Sequence, residues 1–135
     1  MKTFECDAIL ENLPQVISFI EENLEAVECG MKPQTLISIS VEELFVNIAH
    51  YAYHDRIGKA IITFDYLEDS KDVEIKLIDT GIHYDPLSKE DPDITLSAEE
   101  RQIGGLGIFM VKKNMDKVLY EYKDNQNITT IIKKI

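Results

Sequence analysis

The sequence predicts an α/β protein: a two-layer α/β sandwich in which one mixed sheet carries helices on one face. Three observations lead there. The 135 residues are 44% apolar, with no long Pro, Gly or Ser tract, which sizes the chain for a single domain, 1–135, with a real core. Apolar residues recur at helical spacing in several stretches and concentrate into short strand-like runs between them. The resulting order is strand, helix, helix, hairpin, long connection, helix, hairpin, with no internal repeat.

A short strand is expected near residues 2–8, followed by a helix over about 13–27, with Asn12 as its cap, Pro14 in its first turn and Gly30 closing it. A second helix should start at Pro33 and run to about Tyr53, because Leu36, Ile37, Val41, Leu44, Phe45 and Ile48 recur at helical spacing. "KAIITFDYLE" (59–68) and "DVEIKLID" (72–79) are strand-like runs joined by "DSK", hence a hairpin. From Thr80 to about Ile103 the chain has Pro86, Pro92, many acids and weak periodicity, a composition that suits a lid, a binding loop or a disordered segment. A third helix follows at about 105–115, then a strand "KVLYEYK" (117–123), a turn "DNQN" and a last strand "ITTIIKKI" (128–135).

A formal charge of −11, from 25 acidic against 14 basic residues, argues against direct nucleic-acid binding and against an anionic membrane surface. An acidic face suits a basic protein partner, or simply solubility. Cys6 and Cys29 make neither a metal spacing nor a disulfide framework, as expected of reduced thiols. The opening "MKTFECDAIL" sets Glu5 and Asp7 where a signal peptide needs an apolar run, and no segment approaches membrane-spanning length. A cytoplasmic protein is expected.

Four features carry possible chemistry. Gly104, Gly105, Leu106 and Gly107 open the third helix, where a backbone without side chains can bring its N–H groups against a phosphate. The same glycines also suit an ordinary loop-to-helix junction. Glu43 and Asn47, four residues apart, leave one face of the second helix. An Asn carboxamide oxygen suits Mg²⁺ and a Glu one turn away can accept a proton, although such a pair is also a common solvated face. In "IDTGIHYDP" (78–86), Asp79 ends an apolar strand and Gly81 follows two residues later. A carboxylate there can accept a hydrogen bond from an amino group such as that of adenine, while Asp-x-Gly is also a turn sequence. Thr129 and Thr130 in the last strand offer hydroxyls, and threonine is equally an ordinary strand residue.

Taken together in this order, these features resemble the small anti-sigma-factor serine kinases of the GHKL (histidine kinase-like ATPase) superfamily. The resemblance runs from about Phe4 to the last residue and is most specific across "DTGIHYDP", "GGLGIFMVKKNMD" and "NIT". It implies a Bergerat fold, ATP·Mg²⁺ under a lid, and transfer of the γ-phosphate to a serine or threonine of an anti-anti-sigma (STAS-type) partner. On that resemblance Glu43 is the general base, Asn47 holds Mg²⁺, Asp79 reads adenine beside Gly81, the glycine-rich turn meets the phosphates and Thr129 lies near the base. Arg101, just before the glycines, is a cation for a phosphate or a partner, and Lys112 is a further candidate to help hold the triphosphate. A sigma factor and a homodimer are the implied assembly.

One position departs from the broader superfamily: the second glycine of D-x-G-x-G is His83 here, closer to the stress-response anti-sigma branch. His50 and His54 fall at a helix end, where a cation complements the dipole, and point weakly to metal or phosphohistidine chemistry. Two functions of different class therefore stand. One is a protein serine/threonine kinase that sequesters a sigma factor. The other is a non-catalytic, nucleotide-gated binding module with another client, for which a base at Glu43 would be superfluous.

Overall fold

The structure, a computed structural model, describes residues 1–88 and 105–135. Strand β1 (Lys2–Asp7) leads through a 3-10 turn into α1 (Leu13–Ala26), and α2 (Met31–Tyr51) follows. The hairpin β2 (Lys59–Leu67) and β3 (Asp72–Asp79) comes next. After residues 89–104 the chain resumes as α3 (Gly105–Asn114), and the hairpin β4 (Lys117–Lys123) and β5 (Gln126–Lys134) completes the sheet. The strand order is β1-β2-β3-β5-β4.

Every neighbouring pair in this sheet is antiparallel, where mixed directions were expected. The reason lies in the connections. Between β1 and β2 the chain reverses three times, into α1, into α2 and into β2, and the odd number sets β2 against β1 rather than along it. The single helix α3 between β3 and β4 does leave those two strands parallel to each other, but β5 inserts between them and runs against both. The two-layer architecture is otherwise as predicted.

One face of the sheet is buried under the helices. β3 alternates between half-buried and buried residues along its whole length, so Val73, Ile75, Leu77 and Asp79 point to the helices. Against them pack Val16, Ile20 and Leu24 of α1, which recur every four residues on one helical stripe. α2 supplies Ile37, Val41, Leu44, Phe45 and Ile48, and α3 supplies Ile108 and Val111. Fully burying each such side chain is worth roughly 1.5–3 kcal/mol, and this shared core fixes α2 across the sheet. The other face carries Ile61, Ile78 and Ile128 side by side across three strands.

Local ends differ from expectation where polar residues substitute for glycine or for a cap. Asn12 precedes α1, but its Nδ2 donates to the Asp7 carbonyl at 2.9 Å instead of capping the helix. Glu28 (φ 58°), not Gly30, takes the left-handed conformation that ends α1, while the Cys29 N–H returns to the Leu24 carbonyl at 3.0 Å. Gly30 instead stands at the N-cap of α2, which starts at Met31 and accommodates Pro33 in its first turn, where its missing N–H has no partner to lose. The β4–β5 loop is only Asp124-Asn125, both at positive φ (54° and 62°), so Gln126 and Asn127 belong to the strand and not to the turn.

Candidate functional site

A cleft of ≈ 430 Å³, counted out to its open mouth, lies between the C-terminal half of α2 and the adjoining ends of β3 and β5. Asn47, Ile48 and Tyr51 of α2 form one wall, Leu77 and Asp79 of β3 the floor, and Asn127 and Thr129 of β5 the far side. Ile82, Tyr84 and Pro86, at the start of the long connection, close the rim. Three residues singled out from sequence, Asn47, Asp79 and Thr129, are thus brought to one cavity.

Asp79 is the polar anchor. Only 6% of it is exposed, and it stands directly opposite Asn127 in the β3–β5 register. Its Oδ1 accepts the Gly81 N–H at 2.9 Å and the Asn127 Nδ2 at 3.0 Å. Among the described residues, Oδ2 has no hydrogen-bond donor, so one carboxylate oxygen remains for a ligand in the cleft. Burial pushes the Asp79 carboxyl above the usual range, and the bonds from Asn127 and Gly81 hold it back.

The end of β3 is clamped to the end of α2. The Tyr53 hydroxyl accepts the Thr80 N–H at 2.9 Å and donates to the Lys59 carbonyl at 2.6 Å. The Ile82 N–H donates to the Ala52 carbonyl at 2.9 Å. Gly81 lies against that same carbonyl, so its lack of a side chain is what lets the two segments meet.

Glu43 does not line the cleft. One helical turn before Asn47 on α2, it is half-buried against the backbone of Gly107 in the first turn of α3. Burial first, and the neighbouring Glu42 second, raise its carboxyl above the ordinary value. α2 therefore presents two of the candidate residues to different surroundings: Asn47 to the cleft and Glu43 to the start of the glycine-opened helix.

Gly105 begins α3, with Leu106 and Gly107 next. Arg101, Gly104 and most of the expected lid lie outside the described residues. Lys112 falls in the last turn of α3, at the end opposite the glycines. Of the two last-strand threonines, Thr129 pairs with Leu77 and joins the cleft, whereas Thr130 pairs with Lys76 on the other face of the sheet. His83 stacks on Tyr122 of the edge strand β4, with ring centroids 4.3 Å apart, and His50 packs edge-on against Tyr51. Among the described residues no three His, Cys, Asp or Glu side chains converge as a metal cluster. By composition Asn127 belongs to the turn "DNQN", but it lies in β5 and lines the cleft, a place that no local signal in the sequence marks.

The family described as "Histidine kinase-like ATPase domain" matches residues 6–133. The chain belongs to this family. Among curated proteins, the serine-protein kinase RsbW of Listeria monocytogenes serovar 1/2a (strain ATCC BAA-679 / EGD-e) is 28% identical over 97 residues, 68% of this chain and 60% of the relative. The RsbW of Listeria monocytogenes serotype 4a (strain HCC23) is 26% identical over 96 residues, with the same coverage. The chain thus spans 60% of the length of the curated relatives it matches. The crystal structure of the RsbU and RsbW domains of Rv1364c from Mycobacterium tuberculosis superposes with a TM-score of 0.69 at 13% identity, covering 99% of this chain and 32% of that one. This likeness shows the shared fold. An ATPase domain of this family implies ATP as its nucleotide, and among the described residues no helix is long and apolar enough to cross a membrane.

Proposed function

We propose that the protein is an ATP-dependent serine/threonine protein kinase of the anti-sigma type, which sequesters a sigma factor and phosphorylates an anti-anti-sigma (STAS-type) partner. The observation that carries this reading is the buried Asp79 carboxylate at the floor of a cleft it shares with Asn47 and Thr129. Its unoccupied oxygen suits the exocyclic amino group of adenine, and the apolar walls at Ile48 and Leu77 suit the faces of the base. Thr129 would sit beside the base, with Gly81 permitting its approach.

Asn47 fits Mg²⁺ as a single neutral oxygen ligand, since this ion keeps several waters and takes most of its other contacts from phosphate. When bound, the ion would supply charge neutralisation at the phosphates. The α3 N-terminus, with Gly104, Gly105, Leu106 and Gly107, would present N–H groups to the triphosphate, and Arg101 would add a cation. In the transfer, the partner's hydroxyl oxygen forms the new bond to the γ-phosphorus as the bond to the β–γ bridging oxygen breaks, and ADP leaves. Glu43 takes the hydroxyl proton and passes it to solvent. Its raised carboxyl makes it a stronger base than an ordinary glutamate.

The net charge of −11 suits a sigma factor, whose DNA-contacting surface must be basic. A homodimer is proposed with it, and the row Ile61, Ile78 and Ile128 on the sheet face away from the helices is a surface that a second copy would cover. The test is to incubate the full chain with ATP, Mg²⁺ and an anti-anti-sigma protein, and to read phosphate on the partner. Transfer that Glu43→Gln reduces on the order of a hundredfold or more would support the reading. Transfer at the parental rate in that variant would refute the assignment of the base, and no transfer at all by the parent would leave a nucleotide-gated binding protein.

A further inference from the structure

We infer that Asn127 is a positioning residue for nucleotide selectivity, whose single side-chain amide fixes the Asp79 carboxylate and the chain leaving the cleft as one unit. The inference rests on the reading of Asp79 as the adenine contact. Asn127 is 5% exposed, and its side chain uses its whole hydrogen-bonding capacity. Nδ2 donates to Asp79 Oδ1 at 3.0 Å and to the Ile82 carbonyl at 2.8 Å. Oδ1 accepts the Tyr84 N–H at 3.2 Å and the Tyr120 hydroxyl. The amide can sit only one way round, because the reverse orientation would set its oxygen against a carboxylate and a carbonyl and its nitrogen against two donors.

Two consequences follow for recognition. Rotation of the Asp79 side chain would break the bond from Asn127 and that from Gly81, so Oδ1 is committed and Oδ2 alone meets the ligand. A fixed acceptor favours a purine with an amino group at position 6 and disfavours one with a carbonyl there, since two acceptors would face each other without a proton between them. The same amide also brackets His83: it pairs with the carbonyl before that residue and the N–H after it, as a neighbouring strand would. Ile82 and Tyr84, both on the rim, are thereby held by the residue that orients the base contact.

The experiment measures Kd for ATP and for inosine triphosphate, which differs by a carbonyl in place of the 6-amino group, by calorimetry on the full chain. The variants are Asn127→Ala, the isosteric Asn127→Asp, Asp79→Asn and the double variant Asp79→Asn/Asn127→Ala. A freed Asp79 should bind ATP more weakly and inosine triphosphate little changed, so the ratio of the two constants contracts about tenfold in Asn127→Ala, one hydrogen bond's worth. Asn127→Asp keeps the shape and the acceptor for Tyr84 but loses both donors, and should contract the ratio as well even if the alanine variant fails to fold. In the double variant the ratio should equal that of Asp79→Asn alone. Equal weakening of both nucleotides in the Asn127 variants, with the ratio intact, overturns the positioning role while Asp79→Asn still contracts it. A parental ratio in Asp79→Asn overturns the adenine reading itself, and this inference with it.

Discussion

The carboxylate of Glu43 occupies the space that a side chain on Gly107 would need: an ideal Cβ on Gly107 would stand 1.9 Å from Glu43 Oε1 and 2.1 Å from its Cδ. The obstructing atoms are the end of a flexible side chain, so Gly107→Ala should keep its helix and expel the carboxylate. The expected result is phosphoryl transfer reduced on the order of a hundredfold, as for loss of a general base, with ATP affinity changed far less. Single-turnover transfer and calorimetry check this together. A variant that loses binding and transfer in equal measure would locate the glycine's purpose in the phosphate contact alone.

At Gly81 the obstacle is backbone. A Cβ there would lie 2.2 Å from the Ala52 carbonyl oxygen and 2.6 Å from the Ala52 Cβ, and neither can swing away. Gly81→Ala should therefore separate α2 from the end of β3, break the Ile82 to Ala52 hydrogen bond, and cost about 1–3 kcal/mol. Urea unfolding of the two proteins measures this directly, and an unchanged midpoint would contradict the packing described.

The Asp79 carboxyl is raised from an ordinary value of 3.8 by burial, so the folded chain holds this proton to higher pH than the unfolded chain does. Its contribution to stability is complete below the ordinary value and is lost as pH rises through the folded one. Acceptance of an adenine amino group needs the ionised form and follows the opposite course. Between the two values ATP affinity should rise while the stability of the nucleotide-free protein falls, and binding should release protons. Asp79→Asn should flatten both profiles. Calorimetry in buffers of different ionisation enthalpy, beside thermal unfolding across mildly acidic pH, provides the check.

Removal of Mg²⁺ should separate the roles proposed for Asn47 and Glu43 on α2. Chelation with EDTA should weaken ATP binding by the parent protein, and Asn47→Ala should match that weaker binding with Mg²⁺ present. Glu43→Ala should keep the Mg²⁺ dependence. Parental Mg²⁺ dependence in Asn47→Ala would remove that side chain from the metal site.

Much of the candidate site, in the cleft and beside it, was legible because its residues sit on elements with strong periodicity. Glu43 and Asn47 are a turn apart on α2, and the alternation of β3 marks Asp79 as the inward end of a buried strand. Strand direction was less legible, since no local pattern records how many reversals precede a strand. Asn127 was hidden by composition: "DNQN" contains turn formers throughout, yet Asp124 and Asn125 make the whole reversal by accepting left-handed backbone. A two-residue loop moves Asn127 into the sheet opposite Asp79, and only the pairing reveals the bond between them. Glu28 misled in the same way by adopting the conformation that Gly30 was better suited to supply.

The insertion of β5 between β3 and β4 also orders events in time. Within this domain a ribosome makes β3, α3 and β4 before β5, so Asp79 waits for its neighbour while the intervening segments emerge. Such a distant pairing is slow to close compared with a hairpin. A nascent chain ending before Gln126 already contains Glu43, Asn47 and Asp79, but it has neither Asn127 nor Thr129. Nucleotide retention on stalled chains of increasing length would then appear only after the final strand has cleared the exit tunnel, making the bound base a signal of completed folding.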